Sequence, residues 1–257
     1  MSGRGYQWRK KVSMCFVDQS VGYGTMDNRQ VCNFGPPIMD PLYPASPGAT
    51  TGSVMPLLAE LIAKRRSIIA YPYNTCLGST SILRNWCGYT GVIGTGYARA
   101  LTFGEAGFDP QSLISTIIAR HAFNFGQTQH WTLFTGPGQR DDVEGATPEE
   151  FRTGILSTAT RLLTADSLAY LAIGFTIWKA SMTPFERQRY QAYGDASWDV
   201  VDELKQTYPT RVFKLARGID MFAYGQTPLK DDVHFNDNVY PIYAENIYQS
   251  LLETGHF

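Results

Sequence analysis

Val12-Ser13-Met14-Cys15-Phe16-Val17 runs straight into the polar turn Asp18-Gln19-Ser20. Six mostly apolar residues stopped by a polar turn have the length of a β-strand. A near-continuous apolar run, rather than an alternating one, belongs to a strand covered on both faces, as in parallel sheets. Four more short apolar runs follow, at Ser67–Pro72, His130–Thr135, Leu168–Ile177 and Arg211–Ala216.

Helical patterns lie between these runs. Pro56 precedes Leu57, Leu58, Leu61 and Ile62, which share one helical face, and Asp109-Pro110 opens a stretch carrying Leu113, Ile114, Ile117 and Ile118. Thr147-Pro148-Glu149-Glu150 and Thr183-Pro184-Phe185-Glu186 read as capping boxes with proline at the first helical position. The second opens a long helix expected to reach Gln206, and a last helix spans about Val239 to Leu252. Strand–helix alternation of this kind predicts an α/β protein. The expected architecture is a flavodoxin-like three-layer α/β/α sandwich with a five-stranded parallel sheet, as a single domain over 1–257 with 1–11 as a flexible leader. The segments Gly22–Ser53 and Gly88–Gly107, rich in Gly and Pro, follow strands and are expected on the rim where sites form.

Composition narrows the function. A chain of 257 residues suffices for one well-cored domain, and its net charge of -1 gives no electrostatic argument for a nucleic-acid partner. No apolar run is long enough to cross a bilayer, so no membrane insertion is expected, and no charged-then-apolar signal opens the sequence. Compartment and oligomeric state stay open. Cys15, Cys32, Cys76 and Cys87 lack C-x-x-C spacing and nearby histidines in a ligand pattern. Buried thiols are expected, one disulfide is left open, and neither a metal nor a cofactor is called for.

Among the four histidines, His121 falls in a helical pattern, His130 opens a strand and His256 is penultimate. His234 sits in the polar loop Lys230-Asp231-Asp232-Val233-His234-Phe235-Asn236, just before the last helix. Asp231, three residues earlier, can meet the imidazole in a tight turn, fix its tautomer and stabilise its charged form. The same residues also fit a plain surface turn. Ser20, at the carboxyl end of its strand, can point a hydroxyl into a crevice, or simply cap the turn. Gly94-Thr95-Gly96-Tyr97-Ala98-Arg99 follows no strand and is a weak dinucleotide loop. Asp141-Asp142 and Glu149-Glu150 are acid pairs, the second explained by capping. Tyr71, Tyr73, Trp86, Tyr89 and Tyr97 are rim aromatics that either stack on a sugar or pack.

Phe16-Val17-Asp18-Gln19-Ser20-Val21-Gly22 resembles the first block of the SGNH (GDSL-like) hydrolases, in the Gly-Gln-Ser-Asn form of sialate O-acetylesterase-like carbohydrate esterases. Asp231-Asp232-Val233-His234 resembles their Asp-x-x-His block. Gly78-Ser79-Thr80-Ser81-Ile82 with Trp86 is similar to the segment after their second strand, and Gly136-Pro137-Gly138-Gln139-Arg140-Asp141 falls where their third block sits. The blocks come in family order and span nearly the whole chain. Asp18, Val21 and Ser79 replace the glycine, asparagine and second glycine of the pattern, and Gln139 stands where glutamate or asparagine is usual.

The resemblance implies a serine esterase that removes short acyl groups, acetyl above all, from a carbohydrate without cofactor or metal. Ser20 is the implied nucleophile, His234 the base and Asp231 its orienting carboxylate. The implied oxyanion donors are the Ser20 and Gly78 backbone N–H groups and the Gln139 side chain, with Ser79, Trp86 and Arg140 as substrate contacts. Two other readings stay open: a lipid or thioester hydrolase on the same scaffold, and a non-catalytic carbohydrate-binding or structural domain, for example of a viral particle.

Overall fold

The computed structural model describes residues 10–17, 54–74, 117–118, 121–122, 128–143, 145–177, 181–215 and 239–257. In chain order its elements are β1 (Lys11–Val17), α1 (Val54–Arg66), β2 (Ile69–Asn74), β3 (Gln129–Phe134) and α2 (Gln139–Val143), then α3 (Pro148–Ala165), β4 (Ala169–Gly174), α4 (Pro184–Thr207), β5 (Val212–Leu215) and α5 (Val239–Glu253). Residues 117–118 and 121–122 are also helical.

All five strands pair in parallel, in the order β2-β1-β3-β4-β5. This is the expected flavodoxin-like sheet. Residue parity divides β1 between two cores, as a doubly covered strand requires. Val12, Met14 and Phe16 pack with α1 and α5, while Cys15 and Val17 pack with Ile117, α3 and α4. Each fully buried apolar side chain is worth about 1.5–3 kcal/mol, so the continuous run in β1 is what fixes it at the centre of the sheet. The Cys15 thiol is buried, with its Sγ 3.9 Å from the Ile117 carbonyl.

Both capping boxes form. The side chains of Thr147 and Thr183 accept from the N–H groups of Glu150 and Glu186, and each glutamate accepts in return from its threonine's N–H. The last helix also matches, and the fourth strand is shorter than the apolar run suggested, ending at Gly174. A Cβ there would stand 2.5 Å from the Thr135 carbonyl oxygen, so the strand closes against the end of β3 on a glycine. Of the expected leader, residues 10 and 11 are described. Lys11 opens β1 and Lys10 donates from Nζ to the His256 carbonyl at 2.6 Å; residues 1–9 lie outside the described residues.

The amino edge of the sheet is sealed by the end of the chain. Trp131, fully buried, packs against Tyr170, Phe213, His256 and Phe257. Gln129 joins the cluster, meeting the Trp131 indole N–H through Oε1 and His256 Nδ1 through Nε2 at 3.1 Å.

Candidate active site at the carboxyl edge of the sheet

In this strand order the chain turns one way from β1 to reach β2 and the other way from β3 to reach β4. The two connections leave on opposite faces, and between the carboxyl ends of β1 and β3 lies the topological switch point, where parallel sheets hold their ligands. Backbone pairing continues to that edge, with Thr135 N–H donating to the Val17 carbonyl at 3.4 Å.

The Thr135 carbonyl also accepts the Tyr243 hydroxyl at 2.6 Å, a buried bond. Tyr243 lies in the second turn of α5, so this contact fixes the start of the helix over the end of β3. The far end of α5 reaches the amino edge, where His256 meets Lys10 and Gln129. The helix therefore presents its N-terminus, the positive end of its dipole, to the switch-point edge.

The turn after β3 is built tightly. Gly138 has φ 99, a region that costs other residues strain, and a Cβ there would stand 3.0 Å from Thr176 Oγ1. Thr176 donates to the Pro137 carbonyl at 2.8 Å, tying the β4 loop to the β3 turn. Gln139 opens α2, is 3 % exposed, and reaches the Ile177 carbonyl from Nε2 at 3.5 Å. That is a long bond, at the limit of useful geometry. Asp142, also buried, is held by Arg189 of α4 through Nε and, at 2.9 Å, through Nη2. Tyr193 donates its hydroxyl to the Ala146 carbonyl. Burial first, then the Asp142 and Asp141 carboxylates, push the Tyr193 pKa up, which keeps the phenol a donor.

Of the residues singled out in the sequence, Ser20, Gly78, Ser79, Trp86, Asp231 and His234 lie outside the described residues. Gln139 is placed as above. Arg140 belongs to α2 by its backbone, and its side chain lies outside the described set. The flanking elements are fixed: the chain leaves β1 at Val17, three residues before Ser20, leaves β2 at Asn74, four before Gly78, and enters α5 at Val239, five after His234. Tyr71 packs against the core below α3 and α4; Trp86, Tyr89 and Tyr97 lie outside the described residues.

The Asp142–Arg189 pair escaped the sequence reading. Its members are 47 residues apart and no local signal joins them. A second unforeseen group lies at the opposite edge. His130 Nδ1 is 2.7 Å from Asp166 Oδ2, and the His130 ring stacks on His121, centroids 4.9 Å apart. His121 bonds to Ser13 through Nδ1 and to Thr132 through Nε2 at 3.4 Å. Burial, helped by His130, pushes the His121 pKa down to about 3, against the pull of Asp166. Ser13 is fully buried and His121 2 % exposed, so no substrate meets this Ser–His pair. No group of His, Cys, Asp and Glu fit to hold a metal ion is present among the described residues.

No protein-family model matches the sequence, and no curated protein matches it either. Solved structures do match. The psychrotrophic esterase EstA from Pseudoalteromonas superposes with TM-score 0.56 at 10% identity, covering 94% of this chain and 97% of that one. Est24, a carbohydrate acetylesterase from Sinorhizobium meliloti, gives TM-score 0.51 at 11% identity, covering 95% and 99%. A GDSL-like lipase from Parabacteroides merdae gives 0.56 at 10%, covering 96% and 97%.

The fold is that of the SGNH hydrolases. Identity this low carries the backbone and nothing finer. Structures of this fold include esterases, a GDSL-like lipase, carbohydrate acetylesterases and a salicylyl-acyltransferase.

Proposed function

We propose that this chain is a serine esterase that removes short acyl groups, chiefly acetyl, from a carbohydrate, with Ser20, His234 and Asp231 as its catalytic triad. The observation that carries the reading is the convergence of three flanking elements on one edge. β1 ends just before Ser20, the β3 turn carries Gln139, and the Tyr243–Thr135 bond holds the start of α5, just after His234, over that same turn. Carbohydrate acetylesterases among the structures of this fold support the choice of substrate.

In this mechanism His234 takes the proton from Ser20 Oγ as the oxygen attacks the ester carbonyl, and Asp231 stabilises the imidazolium. The tetrahedral oxyanion is met by the Ser20 and Gly78 N–H groups and by the Gln139 amide, released from its long bond to Ile177. Collapse breaks the bond to the sugar oxygen, which takes the proton back from His234. Water then attacks the acyl-serine by the same route, giving acetate and restoring Ser20. Ser79, Trp86 and Arg140 are assigned to the substrate, and no metal or cofactor enters.

The test is hydrolysis of p-nitrophenyl acetate, butyrate and octanoate, with and without a serine-reactive phosphonate. The reading expects acetate to be preferred in kcat/KM and the phosphonate to label Ser20. Preference for octanoate would transfer the chain to the lipid or thioester hydrolases. A second reading, a non-catalytic carbohydrate-binding or structural domain, draws on Asp18, Val21 and Ser79 at the block positions and on the Gln139 amide's contact with Ile177. Absence of both hydrolysis and labelling would favour it over the esterase.

A further inference from the structure

Phe185 is 69% exposed, more than either of the other exposed large apolar side chains among the described residues, Leu168 at 42% and Ile242 at 38%. It stands in the first turn of α4, beside the Thr183 cap, on the carboxyl edge of the sheet. Its ring is not loose. The Arg189 guanidinium, one turn further along, lies over it at 5.7 Å from the centroid. Arg189 is in turn fixed by two nitrogens to the buried carboxylate of Asp142, three residues after Gln139. A chain of direct contacts thus joins an exposed ring to the turn that carries the candidate oxyanion donor.

We propose that Phe185, backed by Arg189, is the platform on which a neutral sugar ring of the substrate stacks. This rests on the esterase reading for the substrate class and names the residue that grips the alcohol part. The chemistry selects the ligand. An aromatic face beside a guanidinium offers apolar contact to the C–H face of a pyranose and N–H donors to its hydroxyls. Asp142 already neutralises Arg189, which removes any reason for an anionic sugar. Leu168, just ahead of β4, sits at the other edge of the sheet, so Phe185 and Leu168 form no shared patch. A single ring suits one sugar unit and is far smaller than the 800 Å² or so that each partner of a stable protein complex buries.

The test compares kcat/KM for acetylated methyl glucoside with kcat/KM for p-nitrophenyl acetate in the full chain. Phe185→Ala should lower the glucoside-to-nitrophenyl ratio about tenfold, the scale of one lost aromatic contact, through KM rather than kcat. Phe185→Trp should restore the ratio, and Leu168→Ala should leave it unmoved. An unchanged ratio in Phe185→Ala, with nitrophenyl acetate still hydrolysed by the parent, overturns the platform and leaves the esterase reading standing. If the parent hydrolyses neither ester, binding of the acetylated glucoside to the parent and to Phe185→Ala is compared by saturation-transfer NMR. Binding lost only in the variant keeps the platform and removes the esterase; equal binding or none removes both.

Discussion

The two edges of the sheet both carry polar side chains on the same strands, yet they are finished in opposite ways. At the amino edge, Ser13, His121, His130 and Asp166 form a chain of contacts that is buried at Ser13 and His121 and part-buried at His130 and Asp166, and the aromatic cluster around Trp131 packs the neighbouring ground. At the carboxyl edge Gln139 and Thr176 tie the β3 turn to the loop after β4, Asp142 of α2 holds Arg189 of α4, and Phe185 faces outward. The amino edge even holds the ingredients of a charge relay, a serine on a histidine and a histidine on a carboxylate. The comparison teaches that the ingredients do not make a site. His121 and His130 hydrogen-bond to different partners, and neither Ser13 nor His121 has room for a substrate.

The sharpest way to break this comparison is to remove the same chemistry at each edge. Ser20→Ala and His234→Ala should each lower kcat on p-nitrophenyl acetate by roughly 10³ or more, because members of a triad act as one unit. His130→Asn, which removes the visible His–Asp contact, should leave kcat within a few-fold and instead lower stability by about 2 kcal/mol, as loss of a charge-assisted hydrogen bond does. Urea unfolding and steady-state rates on the same preparations separate the two effects. A folded His130→Asn protein without activity, beside an active His234→Ala, would exchange the roles assigned to the two edges.

Gln139 sharpens the comparison within the carboxyl edge. Its side chain is buried and its amide reaches the Ile177 carbonyl, a position that fits either an oxyanion donor or a structural tie between loops. Loss of an oxyanion donor costs about 10²–10³ in kcat. Gln139→Ala should therefore lower kcat far more than it raises KM, since the charge it meets exists only in the transition state. A fall in thermal stability with kcat within a few-fold of the parent would assign it to the tie.

What was legible in the sequence follows from distance along the chain. The strands showed as apolar runs and α3 and α4 as capping boxes, because each signal is contained in a few residues. The five residues of α2 carry no apolar period, so the sequence gives no sign of a helix there. Asp231 and His234 can be proposed as a pair from the sequence because only three positions separate them, and both lie outside the described residues. His130–Asp166 and Asp142–Arg189 are 36 and 47 positions apart, and only the sheet and the α2–α4 contact bring them together. Phe185 was read as the interior of a capping box; nothing in that motif says on which side its ring falls.

The amino edge should also reveal itself in acid. His121 is neutral and buried, with a folded pKa of about 3 against an ordinary 6.5, whereas the unfolded chain takes up the proton freely below 6.5. Stability from this group is thus complete above pH 6.5 and falls as pH drops toward 3, by up to about 1.4 kcal/mol per pH unit. Burial raises the pKa of Asp166, but the His130 contact and the Leu168 N–H outweigh it and leave it below its ordinary value. Its contribution is present above about 3.8 and is lost as pH falls through the folded value, adding to the same trend. Denaturant titrations between pH 7.5 and 4 should give a shallower slope for His121→Gln than for the parent. Parallel slopes would mean that another group makes the fold acid-labile.

The smallest expected effects come from the two caps, and they test whether the carboxyl edge is uniform. Thr147 and Thr183 make the same exposed bonds to Glu150 and Glu186, at nearly the same distances. Replacing either with alanine should cost about 1 kcal/mol, and serine should recover most of it, because the hydroxyl is the group that matters. The helices they begin differ in what their first turn carries. That of α3 buries Phe151, whereas that of α4 presents Phe185 to solvent with Arg189 over it. Thr183→Ala should therefore lower thermal stability and also reduce the glucoside-to-nitrophenyl ratio by a few-fold, since a frayed first turn no longer holds the ring against Arg189. Thr147→Ala should lower stability alone. If both variants shift the ratio equally, the effect is one of general loosening at this edge, and the position of Phe185 loses its special standing.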